Sequence, residues 1–152
     1  MAVQLLEVKK MGKSMSLKMI VISFALMTMS GITMADQHRN YDSSMLDAGK
    51  QLFQAHCAVC HGVLAEGTVE NWHLRDENGK FPPPPLNGTA HTWHHSVGSL
   101  FNTIKNGTIS IGGNMPSWKD RLSDDEVFSV IIWLSSLWPE AIYQAWMERN
   151  NS

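Results

Sequence analysis

Cysteine is nearly absent from this chain: 152 residues contain two, Cys57 and Cys60. A structural zinc site needs four ligands, usually with a second cysteine or cysteine/histidine pair at similar spacing, and no further cysteine exists to supply one. Basic residues are also short. Twelve lysines and arginines stand against fourteen aspartates and glutamates, a balance that offers no basic face to the phosphates of a nucleic acid. A long apolar run is missing too, because the most apolar stretch, Met19 to Met29, is too short for a comfortable membrane span. Methionine becomes scarce beyond residue 35, where only Met45, Met115 and Met147 remain. What is present has the length of one small globular domain.

The N-terminus reads as a leader. Lys9, Lys10, Lys13 and Lys18 precede the apolar run, and Thr33-Met34-Ala35 places small residues at minus three and minus one. The pattern predicts a secretory signal peptide over residues 1–35, cleaved after Ala35, with an uncleaved anchor as the alternative. Four of the twelve basic residues but only one acidic residue, Glu7, lie within it, so residues 36–152 keep eight basic and thirteen acidic side chains and a formal charge of −5 with histidine neutral. Such a surface suits a partner with a basic docking face, and it serves solubility equally well. Export implies a periplasmic or otherwise extracytoplasmic protein.

Against that background the two cysteines acquire a meaning. Cys57-Ala58-Val59-Cys60-His61 is CxxCH, the spacing at which two thiols add across the vinyl groups of a porphyrin while the adjacent imidazole ligates the iron. A redox disulfide of thioredoxin type would follow a strand, whereas the residues before Cys57 have helical periodicity. The expectation is one covalent haem c held through Cys57 and Cys60, with His61 on the iron.

The remaining residues can be read around that centre. Asp36 to Tyr41 is a polar, loose lead-in. Met45, Leu46, Ala48, Gly49, Leu52 and Phe53 predict a helix from about Ser44 to His56, capped by Asp42 or Ser43, with Gly49 marking close approach of another helix. Gly62 to Phe81 is polar and aperiodic, a surface loop whose Trp72 is expected to cover a haem edge. Pro82 to Pro85 enforces extended chain, and one of its carbonyls can accept the His61 Nδ1–H. His91, His94 and His95 admit three readings: a copper or zinc site, donors to the haem propionates together with the Trp93 indole, or exposed polar residues. A helix over Ser96 to Asn106 carries Val97, Leu100, Phe101 and Ile104 on one face.

Met115 alone among the three methionines sits in a glycine-rich loop, before Pro116 and after Gly112-Gly113. A lone methionine is ordinarily core filler. With a haem inferred and one axial position open, a soft neutral thioether there reads as the sixth iron ligand. Ser123 with Glu126 predicts a capping box for a last main helix whose broad apolar face holds Val127, Val130, Ile131, Leu134 and Leu137, widened by Phe128 and Trp133. Pro139 is expected to open a short tail helix over 139–149 that packs on the domain.

Taken in order, the Gly49/Phe53 helix, CAVCHG, the Pro84-Leu86-Gly88 element, Met115-Pro116 with Trp118, and LSDDE with Trp133-Leu134 resemble the class I c-type cytochromes over about Met45 to Leu137. The resemblance implies an all-α fold wrapped around one haem, with the N- and C-terminal helices crossing at Gly49 and Phe53 against Trp133. It implies a single domain over 36–152 with its core at about 44–138. It implies that His61 is the proximal and Met115 the distal ligand, that the Pro84 carbonyl orients His61, and that Leu86 and Trp118 lie against the cofactor; Trp93, outside the family pattern, is expected there as a propionate donor. The expected activity is single-electron transfer between redox proteins, the chain being a carrier or the electron-transfer subunit of a larger oxidoreductase. The alternatives are a gas-binding, sensor or peroxidase-type haem protein with a weak or absent Met115 bond, and a copper or zinc module on His91, His94 and His95. The segment between Gly62 and Phe81 is longer than in compact members of the family.

Overall fold

Helix α1, Ser43–His56, starts where the Asp42 carboxylate accepts the Ser44 and Met45 amides at 2.8 and 3.3 Å, satisfying two donors that the first turn leaves without partners. The computed structural model describes residues 39–151, so the leader predicted over 1–35 and its cleavage point lie outside the described residues. After α1 come a one-turn helix α2, Ala58–His61, then α3, Val97–Asn106, α4, Asp124–Ser136, and α5, Glu140–Asn150. Short 3₁₀ turns occupy Thr92–His94 and Ile109–Ile111. Among the described residues there is no strand, and the all-α expectation holds.

Helices α1 and α4 cross at Gly49. A Cβ there would strike the Ser129 carbonyl and lie 3.0 Å from the Trp133 Cβ, so glycine is what lets the backbones touch. One turn on, Phe53 is 1% exposed and its ring centre lies 4.6 Å from that of Trp133. Burial of such a ring contributes roughly 1.5–3 kcal/mol, with about 0.5–1.5 more from the ring pair. Phe53 and Trp133 join Ala65, Val130 and Leu134 in one apolar cluster, with Leu86, Ile104 and Leu137 packed on its flank.

Helix α4 is buried nearly all round: Val127, Val130, Ile131, Trp133 and Leu134 are in the core, together with Ser129 and Ser135. The serines are tolerated because each hydroxyl donates back to its own helix, to Asp125 O and Ile132 O at 2.9 Å. The predicted capping box forms, with Ser123 Oγ accepting the Glu126 amide and the Glu126 carboxylate accepting the Ser123 amide at 2.8 Å. Phe128 departs from expectation. It is exposed and stacks on Phe101 of α3 at 4.9 Å, because its position on α4 points past the core.

A second cluster joins Leu122, Val127, Ile131, Trp138 and Trp146, and Val97, Leu100, Phe101 and Ile104 of α3 pack against it. Trp146 brings α5 in. Its ring lies edge-on to Trp138 at 5.0 Å and its indole N–H donates to the His95 carbonyl at 2.8 Å. Pro139 stands one place earlier than expected, as the residue before the helix, with φ −52° and ψ 146°.

The lead-in is tied down at its end, contrary to the loose segment expected. Arg39 donates to the carbonyls of Ser135 at 2.8 Å and Trp138 at 2.6 Å, pairs with Glu140 at 2.9 Å and lies over the Tyr143 ring at 4.2 Å. The Tyr41 hydroxyl meets Ser135 Oγ at 3.1 Å. A guanidinium set against the carbonyl end of α4 answers both the orphan acceptors and the negative end of the helix dipole.

Candidate haem-attachment site

The last turn of α1 delivers the motif. Cys57 ends α1 by donating its amide to Phe53 O at 2.8 Å, and its own carbonyl accepts the amides of Cys60 and His61 at 3.1 and 3.0 Å. One residue thus closes α1 and opens α2, which places both thiols and the imidazole within five residues of a single tight turn. Cys57 is partly buried and Cys60 exposed. Burial, and secondarily the neighbouring Cys60, push the Cys57 thiol up to about 11.

His61 Nδ1 lies 3.0 Å from the Pro84 carbonyl. A carbonyl only accepts, so Nδ1 carries the proton and Nε2 keeps its lone pair. Burial holds the imidazole below its usual range, opposed by the Pro84 bond, and the ring is therefore neutral at neutral pH.

The chain returns to Pro84 by a tight path. The His61 carbonyl accepts the Gly67 amide at 2.7 Å, and the Ala65 carbonyl accepts both Leu86 N–H at 2.7 Å and Asn87 N–H at 3.1 Å. Ala65 is fully buried and, at φ 58°, is the one non-glycine among the described residues in the left-handed region, a conformation that costs about 1–2 kcal/mol. From the other side Thr92 Oγ1 donates to Pro85 O at 3.2 Å and Trp138 Nε1 to Leu86 O at 2.8 Å.

Met115 is held through its backbone. Its amide donates to Thr108 Oγ1 at 3.1 Å, its carbonyl accepts the Thr108 amide at 2.9 Å, and the Thr108 carbonyl accepts Gly113 N–H at 2.8 Å. Just beyond, Ser117 Oγ, Trp118 N and Lys119 N donate to the last carbonyls of α3, those of Ile104 and Lys105. Gly107, φ 69°, makes this possible, since a Cβ there would lie 2.5 Å from Met115 O and 2.6 Å from the Pro116 carbonyl carbon.

Leu86 flanks the Phe53/Trp133 cluster. Trp93 and Trp118 flank the Trp138/Trp146 cluster, the ring of Trp93 lying 3.8 Å from that of His94 and that of Trp118 5.3 Å from His56. The copper or zinc reading of His91, His94 and His95 gains no support: among the described residues no group of three or more histidine, cysteine or acidic side chains is arranged to hold a metal ion. His94 lies on Trp93 and receives Arg149 at its carbonyl, 2.8 Å away, while His91 turns to Trp72 and His95. The long 62–81 loop, in turns without helix as expected, is moored there by Trp72 stacking on His91 at 5.2 Å.

Two thiols on one turn, a neutral imidazole with a free Nε2, and branched apolar side chains left more than half exposed beside them fit a flat apolar macrocycle with a metal at its centre. Val59, Val63 and Leu64 adjoin the thiols, and Ile109 and Ile111 lie in the Met115 loop, at 59–83% exposure. An all-α fold that presents a CxxCH turn at the end of its first helix defines a c-type cytochrome.

The sequence model of the family described as cytochrome c oxidase, cbb3-type, subunit III matches residues 44–134, and the chain belongs to that family. It is 30% identical over 99 residues to the cbb3-type cytochrome c oxidase subunit CcoP of Azospirillum brasilense, covering 65% of this chain and 30% of that protein. It is 31% identical to cytochrome c-L of Methylorubrum extorquens over 64% of this chain and 42% of that one. To cytochrome c6 of Bryopsis maxima it is 29% identical over 59% of this chain and 88% of the other. The crystal structure of cytochrome CL from Methylophaga aminisulfidivorans superposes with a TM-score of 0.51 at 25% identity, over 74% of this chain and 70% of that one. The chain spans 30% of the length of the CcoP relative. Covalently bound haem c is the cofactor of this family, and Cys57 and Cys60 are the only thiols in the sequence to hold it.

Proposed function

We propose that residues 36–152 form an exported, periplasmic monohaem cytochrome in which His61 and Met115 are the axial ligands and electrons pass singly between redox proteins. The observation that carries the reading is the Pro84 carbonyl 3.0 Å from His61 Nδ1, which leaves a neutral imidazole with its Nε2 lone pair uncommitted. The haem supplies a one-electron Fe(III)/Fe(II) couple. The chain's own share is to hold His61 in one tautomer, to keep Met115 on a strapped loop, and to surround both with apolar side chains so that the charge change meets little solvent.

With His61 and Met115 both holding the iron, no coordination position would be left open, which favours outer-sphere transfer over gas binding or peroxide chemistry. No described helix is long and apolar enough to cross a membrane, and the acidic balance of residues 36–152 suits redox partners with basic docking faces. Similarity to an oxidase subunit makes service within a larger oxidoreductase part of the same reading. The test is spectroscopic. Ferric protein should show the weak far-red band of thioether ligation, Met115→Ala should abolish it, and the reduced wild type should resist carbon monoxide; a wild type that lacks the band and binds carbon monoxide readily refutes Met115 as ligand.

A further inference from the structure

We infer that Ala65 is a positioning residue for the haem iron: its carbonyl, aimed by a left-handed backbone, sets the register in which Pro84 holds His61. The inference rests on the reading of His61 as the proximal ligand. Residues Pro82 to Pro85 have no N–H, so nothing in that run can fix its own position along the chain by donating. The first donor after it is the Leu86 amide and the next is that of Asn87, and both end on Ala65 O, at 2.7 and 3.1 Å. Thr92 and Trp138 bind carbonyls of this segment from the other side, but Ala65 O alone receives both of its first N–H groups, and the Pro84 carbonyl lies two residues from that anchor. Ala65 is in turn tied to the motif, since its amide donates to Gly62 O at 3.1 Å while Gly67 N–H, two residues on, returns to His61 O at 2.7 Å. The circuit runs from His61 through Gly62 and Ala65 to Leu86 and back through Pro84 to His61.

The choice of residue follows from two demands that conflict. At φ 58° glycine would be the unstrained occupant, yet the Ala65 methyl is fully buried among Phe53, Val130, Trp133 and Leu134. Alanine is the smallest side chain that fills the core and still tolerates the left-handed backbone. A β-branched residue tolerates it least.

The haem-loaded protein and its variants Ala65→Gly and Ala65→Val would be compared by midpoint potential, by the His61 Nδ1–H proton resonance, and by exchange of the Leu86 and Asn87 amides. In wild type those two amides should exchange at least on the order of tenfold more slowly than the amides of the exposed residues 68–70. Ala65→Gly should keep the potential, the resonance and that protection, although it loses the methyl. Ala65→Val should accelerate both amides on the order of tenfold and raise the potential, because an imidazole less firmly hydrogen-bonded donates less charge to Fe(III). Unprotected amides in wild type overturn the proposal, whether or not the valine variant folds. So does a folded valine variant with wild-type potential and resonance, or a glycine variant that shifts as far as valine, which would assign the effect to the methyl. Amide exchange reports the positioning independently of ligation, so its outcome stands apart from whether His61 proves to bind iron.

Discussion

The two sides of the proposed iron site are built differently. The proximal side is continuous with the core: Phe53 O holds Cys57, Ala65 is buried against Phe53 and Trp133, and the Ala65 carbonyl reaches the proline segment that faces His61. Its ligand side chain is itself bonded, to Pro84 at 3.0 Å. The distal side is strapped to the carbonyl end of α3 and to Thr108 by main-chain contacts, with Met115 partly exposed. The proposed ligand His61 is therefore held as firmly as the domain, while Met115, as the proposed second ligand, would leave when a loop opens, which is a local event of lower free energy.

The strongest way to break that contrast is Phe53→Ala. Removing a ring that is 1% exposed should cost about 3–5 kcal/mol and lower the whole melting curve, taking the proximal side down together with the fold. Gly107→Ala attacks the other side, forcing alanine to φ 69° and its Cβ into the Met115 and Pro116 backbone. It should cost roughly 2–4 kcal/mol and abolish the far-red band at temperatures where far-ultraviolet circular dichroism still reports native helix. Thr108→Val is milder. It deletes the acceptor for Met115 N–H at about 1 kcal/mol, and loss of the band on warming should separate from global unfolding; if the two transitions coincide, the distal loop is not an independent unit.

The smallest expected effect is of pH, on haem-free chain. Burial lowers the His61 imidazole in the folded state, so its contribution is complete above the ordinary imidazole value near 6.5 and is lost as pH falls through that value toward the folded one. His91, lowered by burial and then by His95 and His94, acts in the same direction, and His91→Gln isolates the share of His61. Acidification from about pH 7.5 to about pH 5 should lower the melting temperature of that variant, and a flat profile would mean that His61 is not held neutral.

Much of this was legible in the residues, because the informative features are local. Asp42, the Ser123/Glu126 box, Gly49 and the CxxCH spacing each announce their geometry within a few positions. The family resemblance supplied the crossing of α1 and α4. The unread parts depend on distant backbone atoms. Ala65 gives no sign of a positive φ, since glycine is the residue that advertises one, and the target of its carbonyl lies past four prolines. Arg39 looked like loose polar chain because its acceptors are main-chain oxygens 96 and more residues away. The histidine cluster stayed ambiguous for the opposite reason: its spacing is local, but Trp72 and Arg149 arrive from elsewhere to meet His91 and His94, and Trp93 within the cluster lies on His94.

The proline run has a consequence beyond the haem. An extended segment normally offers alternating donors and acceptors, and any other extended chain can pair with it. Pro82 to Pro85 offers acceptors alone, and two of these, Pro84 O and Pro85 O, are taken by His61 and Thr92. The segment cannot template a neighbouring strand. The chain thus carries, in an extended segment beside the proposed ligand, a stretch that resists edge-to-edge aggregation.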